Sequence, residues 1–132
     1  MRARHFTLLE ANALLPWLEE QFAALMPVRD ELVEQQERIL ALLRLRRNNG
    51  HTNHDDEYTE AQQAVDRLTA ALQDRVRVIA QEGILVRDVG RGLVDFPSMR
   101  EGQEVYLCWL RGEPEIAYWH ETNTGFDNRK PL

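Results

Sequence analysis

The sequence predicts an α+β fold: a short N-terminal helix, a long antiparallel helical hairpin, and then a small four-stranded antiparallel β-meander. Three observations predict it. Between Pro16 and Gly83 the apolar residues recur at steps of three and four, the period of a helix with one greasy face. After Gly83 the pattern changes to short β-branched and aromatic runs separated by glycine and proline, which is the pattern of strands and tight turns. A length of 132 residues with 43% hydrophobic side chains suits one domain with one modest core. We therefore expect a single domain over 1–132, with a helical part at 1–83, a meander at 84–121 and an irregular tail at 122–132.

The helical part begins at a capping box. In Thr7-Leu8-Leu9-Glu10 the hydroxyl can accept from the N–H three residues on, and the glutamate can reach back to the N–H of Thr7. Pro16 lacks a backbone donor and crowds the preceding turn, so a break is expected near Leu14–Pro16, with Pro16 opening the next helix. That helix should run to about Arg47, with Leu18, Phe22, Leu25, Leu32, Ile39 and Leu43 on one stripe and a bend at Pro27. Asn48 to His54 is a polar turn, in which His51 and His54 read as solvated loop histidines. Asp55, Asp56 and Glu57 bring negative charge to the start of the next helix, where the helix dipole favours it. Ala61, Val65, Leu68, Leu72, Val76 and Ile79 continue at helical steps until Gly83.

The meander is expected to contain four strands. The first is Ile84–Val89; Gly90-Arg91 turns it into Gly92–Phe96, which Pro97-Ser98 should end, because proline cannot donate to a ladder. Glu104–Leu110 carries the strongest strand signal, and Glu115–His120 is the fourth. The tail is expected to be irregular, pinned by Phe126.

Composition excludes several classes of function. A net charge of −6, spread over both halves, argues against nucleic acid as a partner, since phosphate backbones call for a basic footprint. The apolar run near the N-terminus is broken by Glu10 and Asn12, and no span of about 20 apolar residues occurs, so neither a signal peptide nor a membrane span is expected. Cys108 is the sole cysteine, which excludes an intrachain disulfide and suits a reducing cytoplasm. The helical hairpin has more apolar face than it can cover by itself, with Leu40, Leu42, Leu45, Ala64, Ala71 and Val78 beside the main stripe. A homodimer through the hairpin is the economical way to bury it.

Chemistry, if there is any, belongs to the meander. A two-residue turn at Gly90-Arg91 would set Asp88 opposite Leu93 and Asp95 opposite Val86, putting both carboxylates on one sheet face. Paired carboxylates can do acid–base work or hold a cation, although pairing with Arg87, Arg91 or Arg111 is the simpler expectation. His120 and Glu121 are the other candidates, for a proton or a metal. Candidate ligand-binding residues are thus Arg87, Asp88, Asp95, Trp109, Trp119, His120 and Glu121. His120, Glu121 and Asp95 are weak metal candidates, and no cofactor is expected. Cys108 reads as a buried small hydrophobe and not as a nucleophile served by His120. Trp109 and Tyr118 sit on strands and read first as core or interface residues.

Several motifs carry a resemblance. Phe6-Thr7-Leu8, Glu10-Ala11-Asn12 and Leu14-Leu15-Pro16 open the chain. Val86-Arg87-Asp88, Gly92 to Ser98, Val105 to Trp109, Gly112-Glu113-Pro114, Tyr118 to Glu121 and Gly125-Phe126 follow. Together they resemble the prokaryotic family called domain of unknown function 2203, over nearly the whole chain. The resemblance implies a small cytosolic bacterial or archaeal protein and brings no activity, cofactor or catalytic residue. No specific biochemical function can be assigned from the sequence. A non-enzymatic interaction or ligand-binding module, its ligand unknown, is the preferred class. The alternative is a small metal-assisted hydrolase built from Asp88, Asp95, His120 and Glu121.

Overall fold

The structure is a computed structural model that describes residues 4–49 and 55–132; His51 and His54 lie outside the described residues. Helix α1 spans Leu8–Ala13, α2 Leu15–Asn49 and α3 Asp55–Ala80. Strands β1 (Leu85–Asp88), β2 (Leu93–Arg100), β3 (Gln103–Leu110), β4 (Tyr118–Glu121) and β5 (Lys130–Pro131) form one five-stranded antiparallel sheet in sequence order. No helix among the described residues is long and apolar enough to cross a membrane.

The chain divides into two compact units. One holds the residues up to Ala23 together with Val76–Leu132; the other is Ala24–Arg75. In the first, Thr7 forms the capping box expected of it: its Oγ1 accepts from the Glu10 N–H at 3.1 Å, and its own N–H donates to Glu10 Oε1 at 2.9 Å. Leu14 caps α1, and α2 starts at Leu15, where the proline after it ends the first helix. The inner sheet face carries Val94, Phe96, Ser98, Val105, Leu107 and Trp109, all buried. Phe6 meets Phe96 edge-on with ring centres 5.3 Å apart, and its carbonyl accepts from the Ser98 hydroxyl. Asn12 Oδ1 accepts from the Ile116 N–H at 2.8 Å, and Arg111 donates to Glu19 at 2.9 Å, so α1 and the start of α2 are tied to the same face.

In the second unit the hairpin buries Leu25, Leu32, Leu42, Ala61 and Leu68. Ion pairs Arg46–Asp55 and Arg38–Glu57 join its two helices.

The sheet departs from expectation at four points. Strand β2 does not end at Pro97 but continues to Arg100. The Phe6 N–H donates to the Pro97 carbonyl at 2.7 Å, so the backbone of Pro97 faces away from β3. Its missing N–H therefore removes nothing from the β2–β3 ladder. The β1–β2 register slips at Arg87: Asp88 does face Leu93, but Asp95 faces Leu85 and not Val86. The turn is Val89–Gly92 rather than two residues, and the extra residue is taken up as a bulge. Strand β4 starts at Tyr118, because Pro114 and the Asn12-bound Ile116 keep the preceding stretch off β3. The tail is not wholly irregular. After a single 3-10 turn at Phe126–Asn128 it returns as β5, which pairs with β4 and makes the fifth strand.

Candidate functional site

The outer sheet face carries the polar chemistry. Residues directly opposite in a ladder point the same way, so the pairs Asp95↔Cys108, Cys108↔Tyr118 and Tyr106↔His120 put these side chains on one face. The β2–β3 register comes from the turn at Glu101-Gly102, where φ is 52° and 80°. Positive φ at both central residues is the two-residue hairpin geometry that matches strand twist. On the opposite edge the bulge at Arg87 lets its guanidinium reach Asp95.

Asp95 is 3% exposed and His120 is 1% exposed, so a carboxylate and an imidazole are both buried on this face. His120 Nε2 lies 3.0 Å from Asp95 Oδ1, and Arg87 Nε donates to Asp95 Oδ2 at 2.9 Å. His120 Nδ1 lies 2.8 Å from the Glu121 carbonyl oxygen. A carbonyl can only accept, so Nδ1 carries a proton. Nε2 and Oδ1 then face each other as two potential acceptors, and a proton or another cation must lie between them. Partial burial works against the Arg87 charge, but its hydrogen bond and ion pair with Asp95 outweigh this and raise its pKa. The Arg87 guanidinium also lies over the Tyr106 ring, and Tyr106 is tilted against the His120 imidazole.

Cys108 completes the group. Burial, reinforced by the neighbouring Asp95 charge, pushes its thiol up to about 12, so it is a neutral thiol at ordinary pH. Ligand atoms of Asp95, Cys108 and His120 all lie within 4.8 Å of one another. A cavity of about 390 Å³ opens above Arg87, Asp95 and Cys108; Thr122 to Phe126 of the tail form its wall.

The remaining sequence candidates sit elsewhere. Asp88 Oδ1 accepts from the Arg91 N–H at 3.1 Å, which closes the β1–β2 turn. Glu121 pairs with Lys130, whose hydrogen bond holds its carboxyl below the usual range, and its register places it on the inner face with Trp109. Trp109 is a core residue, donating to the Glu113 carbonyl at 3.0 Å. Trp119, on the same face, is flanked by the cations of Arg100 and Lys130. Of the seven candidates the structure thus brings together Arg87, Asp95 and His120. Cys108, set aside as core, and the Thr122–Gly125 wall were not among them. The signal for Cys108 was the Glu101-Gly102 turn, which fixes its pairing with Asp95.

Fold and site together define a helix-braced antiparallel sheet with a buried carboxylate–imidazole–thiol cluster, bridged to an exposed arginine, beside its C-terminal tail. The chain belongs to the domain of unknown function 2203 family, uncharacterized conserved proteins, whose profile matches residues 4–132. No curated protein and no solved structure matches it. Family membership assigns no specific function.

Proposed function

We propose that the protein is a non-enzymatic module that binds a small polar ligand bearing an anionic group, in the cavity under the tail. The observation that carries this reading is a cavity of ligand size lined by Arg87 and by the buried Asp95, which is itself paired with His120. Burying such a pair contributes little to stability, so a role in binding is the stronger reason to keep it. Arg87, whose side chain is 44% exposed, supplies the cation at the rim. Thr122, Asn123 and Thr124 supply polar groups and Leu93 and Phe126 an apolar wall. Nothing favours the metal-assisted hydrolase, since Asp88 and Glu121 are engaged away from Asp95 and His120.

The working form in this reading is a cytosolic homodimer joined through the hairpin. The exposed Leu40 and Leu45 and the single free, buried Cys108 support it. A net charge of −6 speaks against nucleic acid as the ligand.

Thermal-shift titration with phosphate and a panel of small mono- and dicarboxylates tests the binding. A ligand at a hundredfold excess over its Kd should add about 2.7 kcal/mol of stability. The shift should vanish in Arg87→Ala and persist in Arg44→Ala. A panel without a single Arg87-dependent shift would count against the reading.

A further inference from the structure

The cluster on the outer face has a feature that the ligand reading does not use. Three donors of different kinds, the Asp95 carboxylate, the Cys108 sulfur and a ring nitrogen of His120, converge within 4.8 Å, and all three residues are buried. Oxygen, thiolate and imidazole are the donor types that zinc and its neighbours in the first transition row accept. In a tetrahedral zinc site with ordinary bond lengths such donors stand about 3.3–3.7 Å apart. Nε2 and Oδ1, at 3.0 Å, are already near that spacing, and the sulfur needs to close by no more than about 1.5 Å.

The groups behind the donors are also in place. A metal-bound histidine commonly donates its other ring N–H to a carbonyl or carboxylate, which fixes the ring and its tautomer. His120 does this through Nδ1 to the Glu121 carbonyl, leaving the Nε2 lone pair aimed into the cluster. Metal-bound carboxylates are themselves held by hydrogen bonds. Asp95 keeps Oδ2 on Arg87 Nε and turns Oδ1 inward. The two facing acceptors, Nε2 and Oδ1, require a cation between them in any case.

We propose that Asp95, Cys108 and His120 bind one divalent transition-metal ion of the zinc class, with a remaining coordination position opening on the cavity beside Asp95 and Cys108. Binding displaces the Cys108 proton and the one lying between Nε2 and Oδ1; both leave to solvent, and nothing is oxidised or reduced. The site goes beyond the ligand reading and does not rest on it: the cavity could bind an anion without metal, and the metal site stands whether or not an anion enters.

Cobalt(II) titration of the full-length, untagged, chelator-treated protein tests the site. Because Cys108 is the sole cysteine in the chain, a thiolate-to-cobalt charge-transfer band can only report that residue. The expected result is an intense near-ultraviolet band that saturates at one equivalent, with visible bands of tetrahedral strength, both abolished by excess zinc. Cys108→Ser should keep the circular dichroism of the parent and lose the charge-transfer band. No saturable binding overturns the proposal. So does cobalt binding without a thiolate band, which would place the ion away from Cys108, on an exposed histidine such as His5. The wild-type spectrum needs no variant, so a Cys108→Ser protein that fails to fold leaves the test intact. Failure here leaves the anion titration unaffected, and the reverse also holds.

Discussion

At the scale of single residues, Asp95 matters most. It satisfies two cationic or proton-bearing partners, Arg87 and His120, and is almost fully buried. Removing one member of a buried pair leaves the other uncompensated, which costs about 3–5 kcal/mol. Asp95→Ala should lower the unfolding free energy in urea by that amount, whereas Asp88→Ala, which removes only a turn bond, should cost no more than about 1 kcal/mol. Cys108 offers a chemical check. With its thiol pushed up to about 12 by burial, it should resist iodoacetamide in the metal-free native protein at pH 8 and react fully in denaturant, as mass spectrometry would show. Glu10 gives the acid-side counterpart. Backbone and side-chain hydrogen bonds from Thr7 lower its pKa below 4.5. The folded state therefore holds this proton less tightly than the unfolded chain does. Its stabilising effect is present above the ordinary glutamate range and is lost as pH falls through and below 4.5. Thr7→Ala should flatten that part of the stability–pH curve.

At the scale of elements, what the sequence disclosed depended on whether local chemistry or pairing decided the outcome. The α1 cap was legible because Thr7 and Glu10 act on each other within one turn. The break at Pro16 and the start of α3 at Asp55 follow from equally local causes. Strand β2 was misjudged at Pro97 because proline's cost depends on which way its backbone faces, and that is set by Phe6, far away in sequence. Asp88 and Asp95 were placed on one face by counting across Gly90-Arg91, but the bulge at Arg87 changed the partner of Asp95. The Glu101-Gly102 turn, in contrast, held legible register information that would have joined Asp95 to Cys108. Strand β5 was not legible, since two residues carry no period and their pairing with β4 is a tertiary event. Gly92 marks where the hairpin is least tolerant. Its φ is +69°, and an added Cβ would stand 2.5 Å from the Cβ of Arg111. Gly92→Ala should therefore destabilise by more than the ~1–2 kcal/mol of left-handed strain alone, measured by chemical denaturation.

At the scale of the whole molecule, the hairpin unit and the sheet-bearing unit invite separate questions. The hairpin leaves Leu40 at 53% and Leu45 at 40% exposure. Light scattering at micromolar concentration should return twice the 15.4 kDa chain mass, and Leu40→Glu with Leu45→Glu should return the chain mass alone. A wild-type monomer would remove the dimer. In the sheet-bearing unit, the chemistry of the outer face depends on a proton or cation shared by His120 and Asp95. Long-range proton–nitrogen correlation of the imidazole in metal-free protein tests it most directly. The expected spectrum shows a protonated Nδ1, slow to exchange and held by the Glu121 carbonyl, with Nε2 shifting in Asp95→Asn. An imidazole protonated at Nε2 alone, or one whose Nε2 ignores the Asp95 substitution, would contradict it.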